Sequence, residues 1–241
     1  MCHRRGIDDS TVPLWLGLGI SIGGEWGYGQ YVSWIQGKFE AGDAILPIAP
    51  WIGYAWFAIC GIAWGATGAI PLGWALGERR PLRHWLARLL VPIGVGALGW
   101  LLVRCCPSLF FPHYRLGLYA GELNHHLLRT VETNTQNFIV AAWWIGAMLV
   151  AVFQRDRVTL VIGALIGGGF GIGFPLSAIW CLGYTYAPGY IDWWKMWELT
   201  AGFILGLQYA VAWHWAVRRT VAAPDAPPSP RTERRRNIAL I

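Results

Sequence analysis

Residues 20–37 read ISIGGEWGYGQYVSWIQG, an apolar run that holds one carboxylate, Glu25, among Gly23, Gly24, Gly27 and Gly29. What that carboxylate means depends on the solvent around it, and the rest of the chain sets the solvent. Of its 241 residues, 55% are apolar and 13% charged, with a mean hydropathy of +0.40. Soluble domains carry about 25% charged residues. The composition therefore indicates an integral membrane protein.

A crossing helix needs about 20 apolar residues at a rise of about 1.5 Å each. Six runs qualify: residues 14–35, 48–76, 85–103, 138–153, 158–182 and 192–217. The fourth is short and gains length if its helix starts near Asn134. The second holds Pro71, which predicts a tilt or kink near its inner end. The expected fold is all-α: six transmembrane helices forming one domain over residues 1–217.

The net charge of +6 would suit nucleic acid if it lay on one polar face. Lys and Arg instead gather in short connectors between apolar runs, so no nucleic-acid partner is expected, and the charge is read as topology. With a cytoplasmic N-terminus, every Lys and Arg falls inside except Lys38, Arg104, Arg115, Arg129 and Lys195. That predicts a multi-pass protein of the cell (inner or plasma) membrane with both termini cytoplasmic. The first run is too long for the core of a cleavable signal, and no clean cleavage site follows, so it is expected to stay. Residues 218–241 are rich in Pro and Arg and are expected to form a disordered basic tail.

An internal repeat is visible. Gly19, Gly23, Gly24, Gly27, Gly29 and Ser33 of the first run align with Gly163, Gly167, Gly168, Gly171, Gly173 and Ser177 of the fifth. Trp56, Gly61, Gly65 and Trp74 align more weakly with Trp197, Gly202, Gly206 and Trp215. Helices one and two, and five and six, are thus expected to be glycine-rich direct repeats related by an axis along the membrane normal. Residues four apart share a helix face. Gly19, Gly23 and Gly27, and likewise Gly163, Gly167 and Gly171, are expected to let helices approach closely, as a glycine zipper.

Glu25 breaks this symmetry, because its counterpart is Gly169. An acidic residue at mid-span costs about 2.5–3.5 kcal/mol on insertion scales and usually faces the bundle interior or water. Glu25 is therefore the leading candidate for a functional buried carboxylate. A purely structural role would have it protonated and bonded to a neighbour such as Gln30, Thr67 or Gln208.

The longest connector, residues 105–137, places Leu116, Tyr119, Leu123, Leu127 and Val131 at helical spacing. It predicts an amphipathic helix over about 115–133 on the outer surface. Glu122, His125 and His126 lie on it, but adjacent histidines diverge by about 100° on a helix, and no metal motif is present. No metal and no cofactor are expected. The last outer connector, residues 180–200, is rich in Trp and Tyr, as an interfacial belt would be. Asp192, Lys195 and Glu198 add charge to a candidate outer pocket, with Lys195 and Glu198 one turn apart. Cys181 could bridge to Cys105 or Cys106 on an oxidising face.

Three function classes follow. The repeat, the glycine faces and Glu25 favour a small transport or channel-like module handling a small solute or ion. Glu122, His125, His126 and Asp192 would instead serve a membrane enzyme acting outside on a lipid-linked substrate. No catalytic motif supports enzyme activity. In the third class the glycines only pack helices in a structural or assembly subunit. The lipid bilayer is the expected surrounding, with further copies of the chain or other membrane subunits as candidate partners.

Overall fold

The computed structural model describes residues 11–25, 27–77 and 80–222. The chain is 79% helical. Four stretches are long and apolar enough to cross a membrane: Pro50–Leu76, Leu82–Cys105, His125–Phe153 and Arg157–Tyr186. They correspond to the second through fifth expected crossings and are consistent with a membrane-embedded protein.

The first and sixth differ from expectation. The first run forms two pieces, α1 (Thr11–Gly24) and α2 (Gly29–Ile35), of 14 and 7 residues. Neither alone reaches the length of a crossing. The last helix, α9 (Trp193–Ala222), has 30 residues but is diluted by polar side chains, including Lys195, Glu198, Gln208 and His214. It also runs five residues into the range assigned to the tail. The rest of that tail, residues 223–241, lies outside the described residues.

A two-stranded hairpin departs from the all-α expectation. β1 (Lys38–Ala41) pairs antiparallel with β2 (Ala44–Pro47), with Ala41 opposite Ala44. The two-residue loop is Gly42-Asp43, and Gly42 takes the positive φ of +66° that such loops require. Phe39 turns inward and is fully buried, anchoring the hairpin on the bundle.

At the centre lies α3 (Pro50–Leu76), opened by a proline at its first position, where the missing N–H costs nothing. It is buried on nearly every side, as expected of a helix that is apolar all round. It touches α1, α2, α5 (His125–Phe153) and the rod Arg157–Tyr186, while α4 (Leu82–Cys105) packs on α5. The rod runs as α6 (Arg157–Ile162), a π-helical segment over Gly163–Gly168, α7 (Gly169–Ser177), a tighter 3₁₀ stretch and α8 (Gly183–Tyr186).

Glycines permit this density. A side chain at Gly65 would put its Cβ 2.5 Å from the Ile166 carbonyl oxygen and 2.9 Å from the Gly167 Cα. Gly61 meets the Phe170 carbonyl in the same way, and Gly19 meets the backbone of Gly68. Gly23 lies against Trp64, Gly27 against Thr133, Gly163 against Met148, Gly167 against Trp144 and Gly171 against Ile62. By contrast, Gly202 and Gly206 have open space where a Cβ would stand. The weaker half of the expected repeat therefore does not carry the packing of Gly61 and Gly65. The stronger half also diverges, since the first run breaks while the rod continues unbroken.

The outer amphipathic helix expected over 115–133 is corrected. Residues 114–116 form a 3₁₀ turn and the chain then turns repeatedly, with Gly117 and Gly121 at positive φ. Helix resumes only at His125, where the Asn124 side chain accepts from Leu127 N at 2.9 Å. Two glycines and an asparagine cap outweigh the apolar spacing.

At the end of the bundle opposite the hairpin lies a buried ion pair. Arg88 on α4 reaches Asp156 at 2.5 Å, the two side chains being 2% and 3% exposed. Asp156 caps α6, accepting from Thr159 N and from Thr159 Oγ1 at 2.7 Å. Gln154 accepts from Arg88 Nε and donates to the His84 carbonyl.

Candidate functional site

The break between α1 and α2 is the least regular feature of the bundle. Gly19 and Gly23 press α1 onto α3, and a residue two beyond Gly23 points about 200° around the helix. Glu25 accordingly sits on the exposed side of the turn that ends α1. This corrects the expected burial of its carboxylate. Two of its supposed structural partners are engaged elsewhere, and the third, Gln208, keeps a buried amide oxygen without a partner among the described residues. Gln30 donates to Thr133 Oγ1, and Thr67 donates to the Gly19 and Trp64 carbonyls. Gln208 lies against Gly169.

The unwound backbone is held by α5. Asn137 Nδ2 donates to the Gly27 carbonyl at 3.2 Å and to Tyr31 Oη at 3.2 Å. Tyr31 Oη donates in turn to Asn134 Oδ1 at 3.0 Å, and Asn134 Nδ2 to the Phe110 carbonyl at 2.6 Å. Tyr31, Asn134 and Asn137 are fully buried. Irregular backbone inside a membrane bundle needs this kind of satisfaction from neighbours. The amide oxygens of Gln30 and Asn137 are also buried, and among the described residues neither accepts a hydrogen bond. Two free acceptors thus adjoin the break.

Beside the break opens a cleft of about 430 Å³, walled by Gly29, Gln30, Ser33, Gln36, Lys38, Glu40, His126, Arg129 and Thr130, with Tyr184 and Trp194 on the far side. The Arg129 guanidinium lies over Gly29, where a side chain would displace it. His126 Nδ1 stands 3.3 Å from Glu40 Oε2, both about half exposed. Toward the core, Tyr28 packs edge-on against Trp64, Phe174 and Trp197, with centroids 5.1–5.8 Å apart. The aromatic cluster closes the interior below the cleft.

Of the expected site residues, only His126 lines this cleft. His125 lies ring to ring with it at 5.8 Å, and Glu122 is exposed on the preceding turn. Asp192 accepts from Lys195 N at 3.1 Å, and Lys195 pairs with Glu198 at 2.6 Å. Trp194 Nε1 donates to the other Glu198 oxygen. These three residues are occupied with starting α9. Among the described residues no group of three or more His, Cys, Asp or Glu could hold a metal. Cys60, Cys105, Cys106 and Cys181 are free thiols, and Cys181 is buried beneath the Gln36 side chain. Comparison with protein-family models, curated proteins and solved structures finds no match to this chain.

The residues that build the site but are not singled out by the sequence are Tyr31, Arg129, Thr133, Asn134 and Asn137, while Gln30 is expected only as a partner of Glu25. Their signal was present, since Asn134 and Asn137 lie within one turn of each other, next to apolar residues 138–153. Read locally, they only lengthen the start of the fourth crossing.

Proposed function

We propose that the chain is a small transport or channel-like module of the cell membrane, with six crossings and both termini cytoplasmic. α1 and α2 together make one interrupted crossing, and α9 makes the last. The observation that carries this reading is the interruption itself. Broken helices whose freed carbonyls are bonded by neighbours recur where transporters bind ions and solutes. The buried free oxygens of Gln30 and Asn137 favour a small cation at the break, since hard cations take oxygen ligands, and Glu25, on the exposed side of the same break, is where that cation would enter. In this reading water or a cation reaches the Glu25 carboxylate from the exposed side of the break, as an ionised acid in a membrane requires.

Two experiments test this. With Cys105 and Cys106 replaced by serine, a cysteine at position 25 is expected to react with a membrane-impermeant maleimide in intact cells. Proteoliposomes are expected to pass Na⁺, K⁺ or H⁺ above protein-free vesicles, and Glu25→Gln to abolish that flux while the protein stays folded. An unreactive cysteine together with no flux would leave the structural or assembly reading. For topology, reporter fusions after Glu78 and Arg219 are expected to read cytoplasmic, and one at Glu122 extracytoplasmic. The reverse at any site breaks the six-crossing arrangement.

The His126–Glu40 pair favours a second reading, a membrane enzyme acting on a lipid-linked substrate at the outer face. A carboxylate that orients an imidazole is a common general-base arrangement. Under it, His126→Ala would remove activity and Glu25→Gln would not.

A further inference from the structure

A second cavity, of about 490 Å³, lies at the same end of the bundle between the last turn of α4 and the first turns of α5. Arg104 and Glu132 both line it. They carry opposite charges, yet among the described residues neither forms an ion pair. Arg104 rests on the Trp100 ring, 5.2 Å from its centroid. Glu132, Thr135 and Gln136 fall at three- and four-residue steps, so their oxygens share one face of α5. One wall therefore offers a guanidinium and the other a set of acceptors, across a gap that the protein leaves open.

The cavity's surroundings indicate what fills it. Trp100 and Tyr114 are exposed there, as interfacial aromatic residues are. Below Trp100 on the same side of α4, at steps of three and four, follow Ala97, Ile93 and Leu89, the last two 60% and 49% exposed, and they offer a face for acyl chains. Tyr119 is fixed by its bond to the Pro112 carbonyl and stacks on Tyr114, which closes the top. A ligand with an anion and a primary ammonium on a short tether, and with apolar chains running downward, fits all these features.

We propose that this cavity binds the headgroup of a phosphoethanolamine lipid, with its phosphate on Arg104 and its ammonium on Glu132. The inference rests on the membrane reading of the helices and is independent of transport. Guanidinium–phosphate contacts are among the stronger charge-assisted bonds. A primary ammonium donates to Glu132, Thr135 and Gln136, whereas the methylated ammonium of choline has no hydrogen to give.

The test is native mass spectrometry of the full chain with dioleoyl lipids carrying ethanolamine, choline or glycerol headgroups at equal concentration. The wild type is expected to retain the ethanolamine lipid about fivefold better than either other. Glu132→Gln should bring the ethanolamine and glycerol lipids level, and Arg104→Ala should weaken all three. Both side chains are exposed, so unchanged melting in detergent is expected and checks folding. Equal retention of the three lipids by the wild type overturns the proposal without reference to any variant. Displacement by soluble phosphoethanolamine at matching concentration would also overturn it, assigning the cavity to a free headgroup compound.

Discussion

Arg88→Ala is expected to destabilise the folded protein by about 3–5 kcal/mol, because it strands the Asp156 carboxylate in the interior. The two side chains are 2% and 3% exposed and 2.5 Å apart. Asp156 would keep its bonds from Thr159 but lose the only counter-charge bonded to it among the described residues. The cost comes from the burial of an unpaired ion, not from the strength of the pair. Arg88→Met combined with Asp156→Asn should therefore recover much of the loss, since asparagine still caps α6. Thermal unfolding in detergent reads both variants. A single mutant that melts like the wild type, or a double mutant worse than either single, would refute this account.

Gly65 and Gly206 are expected to respond in opposite directions. Gly65→Ala drives a methyl against the Ile166 carbonyl and the Gly167 Cα. Both are helix backbone and cannot rotate aside, so the overpacking is expected to cost at least about 1–3 kcal/mol, and Gly65→Leu to prevent assembly. Gly206→Ala meets nothing within 4 Å. A helix-interior glycine is roughly 0.5–1 kcal/mol worse than alanine, so this variant should be neutral or more stable. Folded yield and melting temperature check the pair. Equal damage at both positions would mean that the two helices do pack alike, as their sequences suggest.

The contrast marks how far the sequence could be read. Four of the crossings were legible because a long apolar run has few alternatives to a helix. Gly19 and Gly23, four apart, do share a side of α1 against α3, whereas Gly27 falls beyond the end of α1 and meets α5 instead. The break at Glu25 was not legible, since ISIGGEWGYGQ has neither a proline nor a charge pair to end a helix. The carbonyl freed at Gly27 is met by Asn137, a partner that no local pattern reveals. The hairpin was legible in principle, because Gly42-Asp43 is a two-residue loop signal, but the strands, KFEA and AILP, are too short to show an alternation. Arg88 was counted only as an orienting charge, and its pairing depends on how α4 lies against the turn before α6. In the cleft, His126 was anticipated and its partner Glu40 was not, because a strand and a helix far apart in sequence bring them together.

The hydrogen bonds from α2 to α5 also bear on the order in which the protein is made. Gln30, Tyr31 and Gly27 meet Thr133, Asn134 and Asn137 across 103–110 residues of chain. Alone, the leading half of α5 is a poor segment to hand to a bilayer, because the Asn134 and Asn137 amides find their partners only outside their own helix. Synthesis runs from the N-terminus, so those partners have already left the ribosome when α5 follows. A circularly permuted chain that translated α5 first would present these amides to lipid before anything could receive them.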